Sequence, residues 1–209
     1  MLTRQSQAIQ WAIISNVDLI FVGGDPPARV EGTDELEEAV HQAYRRDIAI
    51  IGAASEESFA GFGSLIEEMR GSIAIGVANL QGTARVRVQD RGEFLFPEFE
   101  IPVKVIDGTP PVLVSGNRTA AALACGFAGL LLYCAWLVND PDGGVVRGSW
   151  KNIHEAFRNL RMPNRFVDAR RALIPALERS DIEGFRIELR RLVERANLDK
   201  DWRKGGREE

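Results

Sequence analysis

Residues 119–138 run without a single charged side chain: Thr-Ala-Ala-Ala-Leu-Ala-Cys-Gly-Phe-Ala-Gly-Leu-Leu-Leu-Tyr-Cys-Ala-Trp-Leu-Val. Ser115, Asn117 and Thr119 are each able to cap a helix start, and Asn139-Asp-Pro-Asp-Gly-Gly stops one. A helix of this length spans roughly 30 Å, enough to cross a bilayer. The alternative is a helix buried on nearly all sides. Its first half is mostly Ala, Gly and Cys, weakly apolar on insertion scales, and neither end carries a basic cluster to set topology. Burial is therefore the main expectation, with a single membrane span as the alternative.

A buried helix needs an apolar surface to cover, and the stretch before it supplies one. In Gly71–Ala78, Ile73, Ile75 and Val77 alternate, the period of a half-buried strand. Val86 and Val88 alternate with Arg85, Arg87 and Gln89, and Asp90-Arg-Gly is a turn signal. Phe99, Ile101, Val103 and Val105 share one face of a return strand that starts at Phe94. Pro97 and Pro102 place that strand at an edge or a bulge. The fold class expected is α+β: a mostly antiparallel sheet covered by the long apolar helix, with a helical C-terminal extension.

The 209 residues divide by pattern into an N-terminal arm (1–32), an α/β core (33–140) and a helical extension (141–209). In the arm, residues 3–14 have helical spacing, Val17–Val22 reads as a short strand, and Gly23-Gly-Asp-Pro-Pro breaks it. Thr33 caps a helix with Glu37 and Glu38 near its positive end and Arg45 and Arg46 in its last turn. Asp47–Ile51 is an apolar strand, hence central. Beyond Asn139, helical spacing recurs over Trp150–Leu160, over Phe166–Leu177 with Pro175 as a kink or stop, and after Ser180 or Asp181.

Apolar residues make up 45% of the chain, enough for a sizeable core, and a net charge of −4 gives no global field for nucleic acid. Cys125 and Cys134 stand on one helix, about 13 Å apart by rise, beyond the roughly 7 Å limit for a disulfide. They read as buried free thiols in a reducing compartment. Trp11–Val22 is interrupted by Ser15, Asn16 and Asp18 and has no basic run before it, so no secretory signal is expected there.

No catalytic, cofactor-binding or metal site is expected. His41 and His154 are the only histidines and lack partner ligands at metal spacing. Val112–Thr119 has the outline of a strand–loop–helix phosphate cradle, yet lacks the lysine and glycine spacing of a P-loop. Ser64, Ser72, Ser115 and Ser149 adjoin glycines without forming a nucleophile elbow. Glu56-Glu57 and Glu67-Glu68 read as solvated helix faces. Arg161, Arg165, Arg170, Arg171, Arg186, Arg190, Arg191 and Arg195 are offset by Glu178, Glu183, Glu188 and Glu194. Ion pairing on helix surfaces, a polar subunit contact and nucleic-acid binding are the readings open for them.

The acidic helix Asp34–Arg46, the strands Asp47–Ile51 and Ser72–Ala78, and the return strand Phe99–Asp107 are followed by Ser115-Gly-Asn-Arg-Thr. Then come Ala120–Ala124, Leu130–Leu132 and Trp136. This order resembles the tail-terminator (tail-completion) proteins of long-tailed bacteriophages and Mu-like prophages, over about half the chain. The resemblance implies a non-enzymatic virion protein without cofactors. It would form a homo-oligomeric ring, usually a hexamer, at the head-proximal end of the tail tube. Its partners would be further copies of itself, the tail tube protein and a head-completion or neck protein, with no nucleic-acid readout and no membrane. It would be assembled in the host cytoplasm and located in the virion. The alternative function is a cytoplasmic ligand-binding domain or enzyme using the loop 108–119.

Overall fold

The computed structural model describes residues 4–23, 33–54, 70–84, 92–97, 101–103, 112–114, 116–139 and 149–198. The helices are α1 (Arg4–Ile14), α2 (Thr33–Arg45), α3 (Asn117–Asn139), α4 (Trp150–Leu160), α5 (Ala169–Leu177) and α6 (Ile182–Arg195). The strands are β1 (Leu19–Val22), β2 (Ala49–Ala53), β3 (Ser72–Ala78), β4 (Phe94–Pro97), β5 (Ile101–Val103) and β6 (Val112–Val114).

The first four strands form one sheet in the order β1-β2-β3-β4, and every neighbouring pair is parallel. The expected antiparallel sheet is therefore corrected to a parallel α/β sheet. Ser72–Ala78 and the segment from Phe94 do pair, but in the same direction, with Ile75 opposite Phe94 and Ala78 opposite Pro97. An alternating pattern reports which residues share a face, and both ladder types have the same period of two. Among the described strands, β5 and β6 pair antiparallel, as a separate two-stranded sheet. The expected strand over 84–90 lies outside the described residues apart from Ala84, which bridges to Ala78.

Helices cover both faces, which is why β3 is buried along its whole length rather than on alternate residues. Ile51, Ile73, Ile75 and Val77 meet α3 in the main core. Ile48, Ile50 and Ala74 meet Ile9 and Ile13 of α1 and Leu36, Ala39, Val40 and Ala43 of α2 on the other side. On α3, Ala120, Ala121, Ala124 and Ala128 are fully buried; their small side chains let the helix axis approach the sheet. By length and composition α3 is able to cross a membrane, but here it packs on the sheet, with 44% of its most apolar window buried.

The C-terminal helices join the same core. Phe157 of α4 is 0% exposed among Phe94, Phe96 and Phe127. Leu192 and Val193 of α6 are buried with it. Helix α5 runs through Pro175 and stops two residues later. Asp168 caps α5 by accepting from the Arg171 N–H at 2.9 Å, and Asp181 caps α6 through the Gly184 N–H. The segment between α4 and α5 lines the outer side of β4: the Leu95 N–H donates to the Arg165 carbonyl and the Val167 N–H to the Leu95 carbonyl.

Glu188 on α6 is only 8% exposed and accepts from Arg179 at 3.0 Å and from Arg191 at 2.8 Å. The Arg179 hydrogen bond, with the charge of Arg191 beside it, holds the Glu188 carboxyl below the usual range. A carboxylate with a depressed folded pKa stabilises the protein above its unfolded pKa and loses that contribution as pH falls through the folded one. Acid titration of stability should therefore show a falling limb below the ordinary carboxylate range. Glu188→Gln is expected to flatten that limb, as read by urea midpoints at stepped pH. An unchanged limb would remove the assignment.

Candidate functional site

Parallel strands bring all their carboxyl ends to one edge of a sheet, and open α/β sheets bind ligands outside that edge. Here β2 ends at Ala53, and the next residue is held twice. The Ala54 N–H donates to the Ile75 carbonyl at 2.8 Å, and the Ala54 carbonyl accepts from Asn117 Nδ2 at 2.8 Å in a buried contact. Asn117 is the first residue of α3 and only 3% exposed. Gly116 before it has φ +104°, a conformation costly for any residue with a Cβ, and its carbonyl accepts from the Ala120 N–H. The start of α3 is thus fastened to the end of β2.

Around this point stand Arg118, exposed on the first turn, and Thr119, half-buried. The end of β3 contributes Asn79, whose Oδ1 accepts from the N–H groups of Gln81 and Thr83 and folds the chain into an Asx turn. Gly82 in that turn has φ +78°, and its carbonyl accepts from Asn164. The dipole of a helix start favours anions and carbonyl oxygens, and Arg118 lies on its first turn.

Asn117→Ala is expected to cost about 1–3 kcal/mol, because the Ala54 carbonyl is left buried without this donor. Urea denaturation checks it, and a cost under about 0.5 kcal/mol would show that the tether is dispensable.

The sequence singled out other residues, and most are elsewhere. His154 lies at the amino edge of the sheet. It is paired with Glu93 just before β4 and stacked on Trp150. Trp150 Nε1 donates to the Ser72 carbonyl at the start of β3. Ser149 Oγ donates to Asp47 just before β2, so Ser72 and Ser149 belong to this opposite edge too. His41 is exposed on α2. Ser64, Ser115, Glu56, Glu57, Glu67, Glu68 and residues 108–111 lie outside the described residues. Cys125 and Cys134 are free, and burial pushes both thiols up. Among the described residues, no three His, Cys, Asp or Glu side chains gather into a metal-binding group. The strand–loop–helix outline over Val112–Thr119 is present as β6 followed by α3. The buried tether from Asn117 was not foreseen; in the sequence the residue is one capping option among three.

No family model matches the chain. No curated protein matches it. Solved structures do. The PatG macrocyclase domain superposes with a TM-score of 0.60 at 20% identity, covering 80% of this chain and 55% of that one. A mutant of the protease domain of PatA gives 0.59 at 15% identity, covering 79% and 62%. MycP1 with its N-terminal propeptide removed gives 0.56 at 13% identity, covering 78% and 63%. The chain thus spans little more than half the length of the solved domains it matches. These structures overturn the phage tail-terminator resemblance and, with it, the virion ring, its hexameric assembly and its non-enzymatic role. The tail-tube and neck partners and the virion location fall as well, since the matches include MycP1 and a chain of an intact ESX-5 inner membrane complex. What the chain shares with its structural neighbours is the α/β fold of subtilisin-like protease and macrocyclase domains.

Proposed function

We propose that this chain forms part of a peptide-processing domain of the protease and macrocyclase type. An extended peptide lies across the carboxyl edge of the parallel sheet, and peptide-bond chemistry is centred at the start of α3. The observation that carries this reading is the buried Asn117–Ala54 hydrogen bond, which sets a helix start, with Gly116 before it and Arg118 on its first turn, at the end of a central strand. In a peptide-processing site, oriented N–H donors hold the carbonyl oxygen on which charge develops, and a hydroxyl or thiol supplies the nucleophile. Thr119 is the half-buried hydroxyl at the helix start, and Ser115 and Ser55 adjoin Gly116 and Ala54 in the sequence.

The test mixes the purified chain with a fluorescein-labelled library of extended peptides, followed by anisotropy and by mass spectrometry of the products. Binding that is weakened by Arg118→Ala, together with cleaved or cyclised product, supports the reading. Binding without product removes its chemical half, and absence of binding by a folded chain overturns it.

A further inference from the structure

We infer that the outer face of α3 is a contact between two copies of this chain, packed antiparallel about a two-fold axis that passes between Gly129 and Leu130. The inference is independent of the peptide reading.

Helix α3 has two unlike sides. Ala124, Ala128 and Leu131 are buried on the sheet side. On the side turned away from the sheet, Leu130, Tyr133 and Leu137 are 39%, 55% and 40% exposed, and Ala122 and Gly126 are exposed before them. No charge interrupts this stripe, since residues 119–138 contain none. Helices α2 and α6 do turn charge to solvent: α2 exposes Asp34, Glu38 and Arg45, and α6 exposes Arg186, Arg190 and Glu194. Single exposed apolar side chains are ordinary, whereas a continuous apolar stripe marks an interaction face. Phe21 widens this one. Leu19 packs into the α3-side core and would meet a Cβ on Gly129, so Phe21, two residues on, faces the same way, and it is 42% exposed.

The order of residues along the stripe says what covers it. Two rows at four-residue spacing run side by side, Ala122-Gly126-Leu130 and Gly129-Tyr133-Leu137. Small residues occupy the first part of the face and large ones the second. Gly126 and Tyr133 lie equally far from the midpoint between 129 and 130, and so do Ala122 and Leu137. In a two-fold pair each contact is made twice, residue i on j and j on i. Antiparallel packing about that midpoint therefore sets Tyr133 of each copy over Gly126 of the other and Leu137 over Ala122. Leu130 lies beside its own symmetry mate. A parallel two-fold pair would set large on large and small on small, leaving gaps at one end and crowding at the other.

Gly126 gives a second, independent observation. A Cβ there meets nothing within 4 Å, so no contact inside the chain requires glycine, and glycine inside a helix is destabilising. The close approach of a second helix explains it. The antiparallel arrangement also brings the exposed Arg118 of one copy toward the C-terminal end of the other's α3, where the helix dipole favours a cation. Lipid is a poorer occupant, because the opposite side of α3 is already packed on Ile51, Ile73 and Ile75 of the sheet.

Sedimentation velocity of the full chain tests the inference, and a concentration-dependent dimer is expected. Gly126→Leu fills the groove and Tyr133→Ala removes the ridge. Each should weaken the dimer about tenfold or more while circular dichroism shows a folded chain. Leu177→Lys, on the exposed face of α5, should leave it unchanged. Mixed one to one, the two weakened variants should recover a dimer. In the mixed pair one contact keeps the native glycine and tyrosine, and the other sets the new leucine against the new alanine. A chain that stays monomeric overturns the inference, as does a dimer that neither variant weakens. A mixture no more dimeric than its components also overturns it. So does flotation of the monomer with phosphatidylcholine vesicles, which would assign the face to lipid.

Discussion

Phe157→Ala is expected to destabilise the protein by about 3–5 kcal/mol, the cost of truncating a fully buried aromatic ring. The ring is centred 5.5 Å from Phe94, 5.2 Å from Phe96 and 6.2 Å from Phe127, against which it stacks. It therefore joins β4, α3 and α4, and none of the three is able to close over the void without moving the other two. At this chain length the loss corresponds to a fall in melting temperature of roughly 10 °C. Urea unfolding followed by far-ultraviolet dichroism measures it, with Phe157→Leu as a smaller truncation that should lose less. A loss below about 1 kcal/mol would mean that α4 is a loosely attached appendage, the role its charged surroundings suggest in the sequence.

Gly92→Ala is expected to cost about 3 kcal/mol, and for a different reason. A Cβ at this position would lie 2.5 Å from the backbone nitrogen of Gly76 and 2.8 Å from its Cα. Those atoms belong to the middle of β3, which is paired on both sides. The backbone of β3 has nowhere to yield, so β4 must shift away. The Glu93 N–H to Ala74 carbonyl bond beside it should weaken. Faster hydrogen exchange at Glu93 and Leu95 would accompany the loss of stability, and unchanged exchange would refute the packing argument. Gly126→Ala is the matched control. A Cβ there meets nothing within 4 Å, so removing a glycine from the middle of α3 is expected to stabilise by about 0.5–1 kcal/mol.

Much of the local structure was legible. The helix expected from Thr33 forms over Thr33–Arg45, with Asp34 and Glu35 in its first turn and Arg45 in its last. Asp47–Ile51 reads as a central strand because it is nearly all apolar; the strand that forms, Ala49–Ala53, lies between β1 and β3. The helix expected over Thr119–Val138 extends by two residues at its start and one at its end. Trp150–Leu160 forms as the spacing predicts.

The candidate site was less legible than the elements that build it. Gly116 and Asn117 show as a loop and a cap, but the partner of Asn117 is Ala54, 63 positions away. No local pattern encodes that pairing. The same holds for His154, whose neighbour Glu93 is 61 positions away and which belongs to the edge opposite the proposed site.

By itself, then, the amino-acid order determined the kind and extent of most elements, and which side of each is apolar. These depend on interactions within one turn or one pleat, and a helical or alternating period records them directly. The direction of the strands, the membership of β1 and α4 in a common core, and the meeting of Ala54 with the start of α3 were decided only in three dimensions. Parallel and antiparallel ladders share one side-chain period, and a contact between distant positions leaves no period at all.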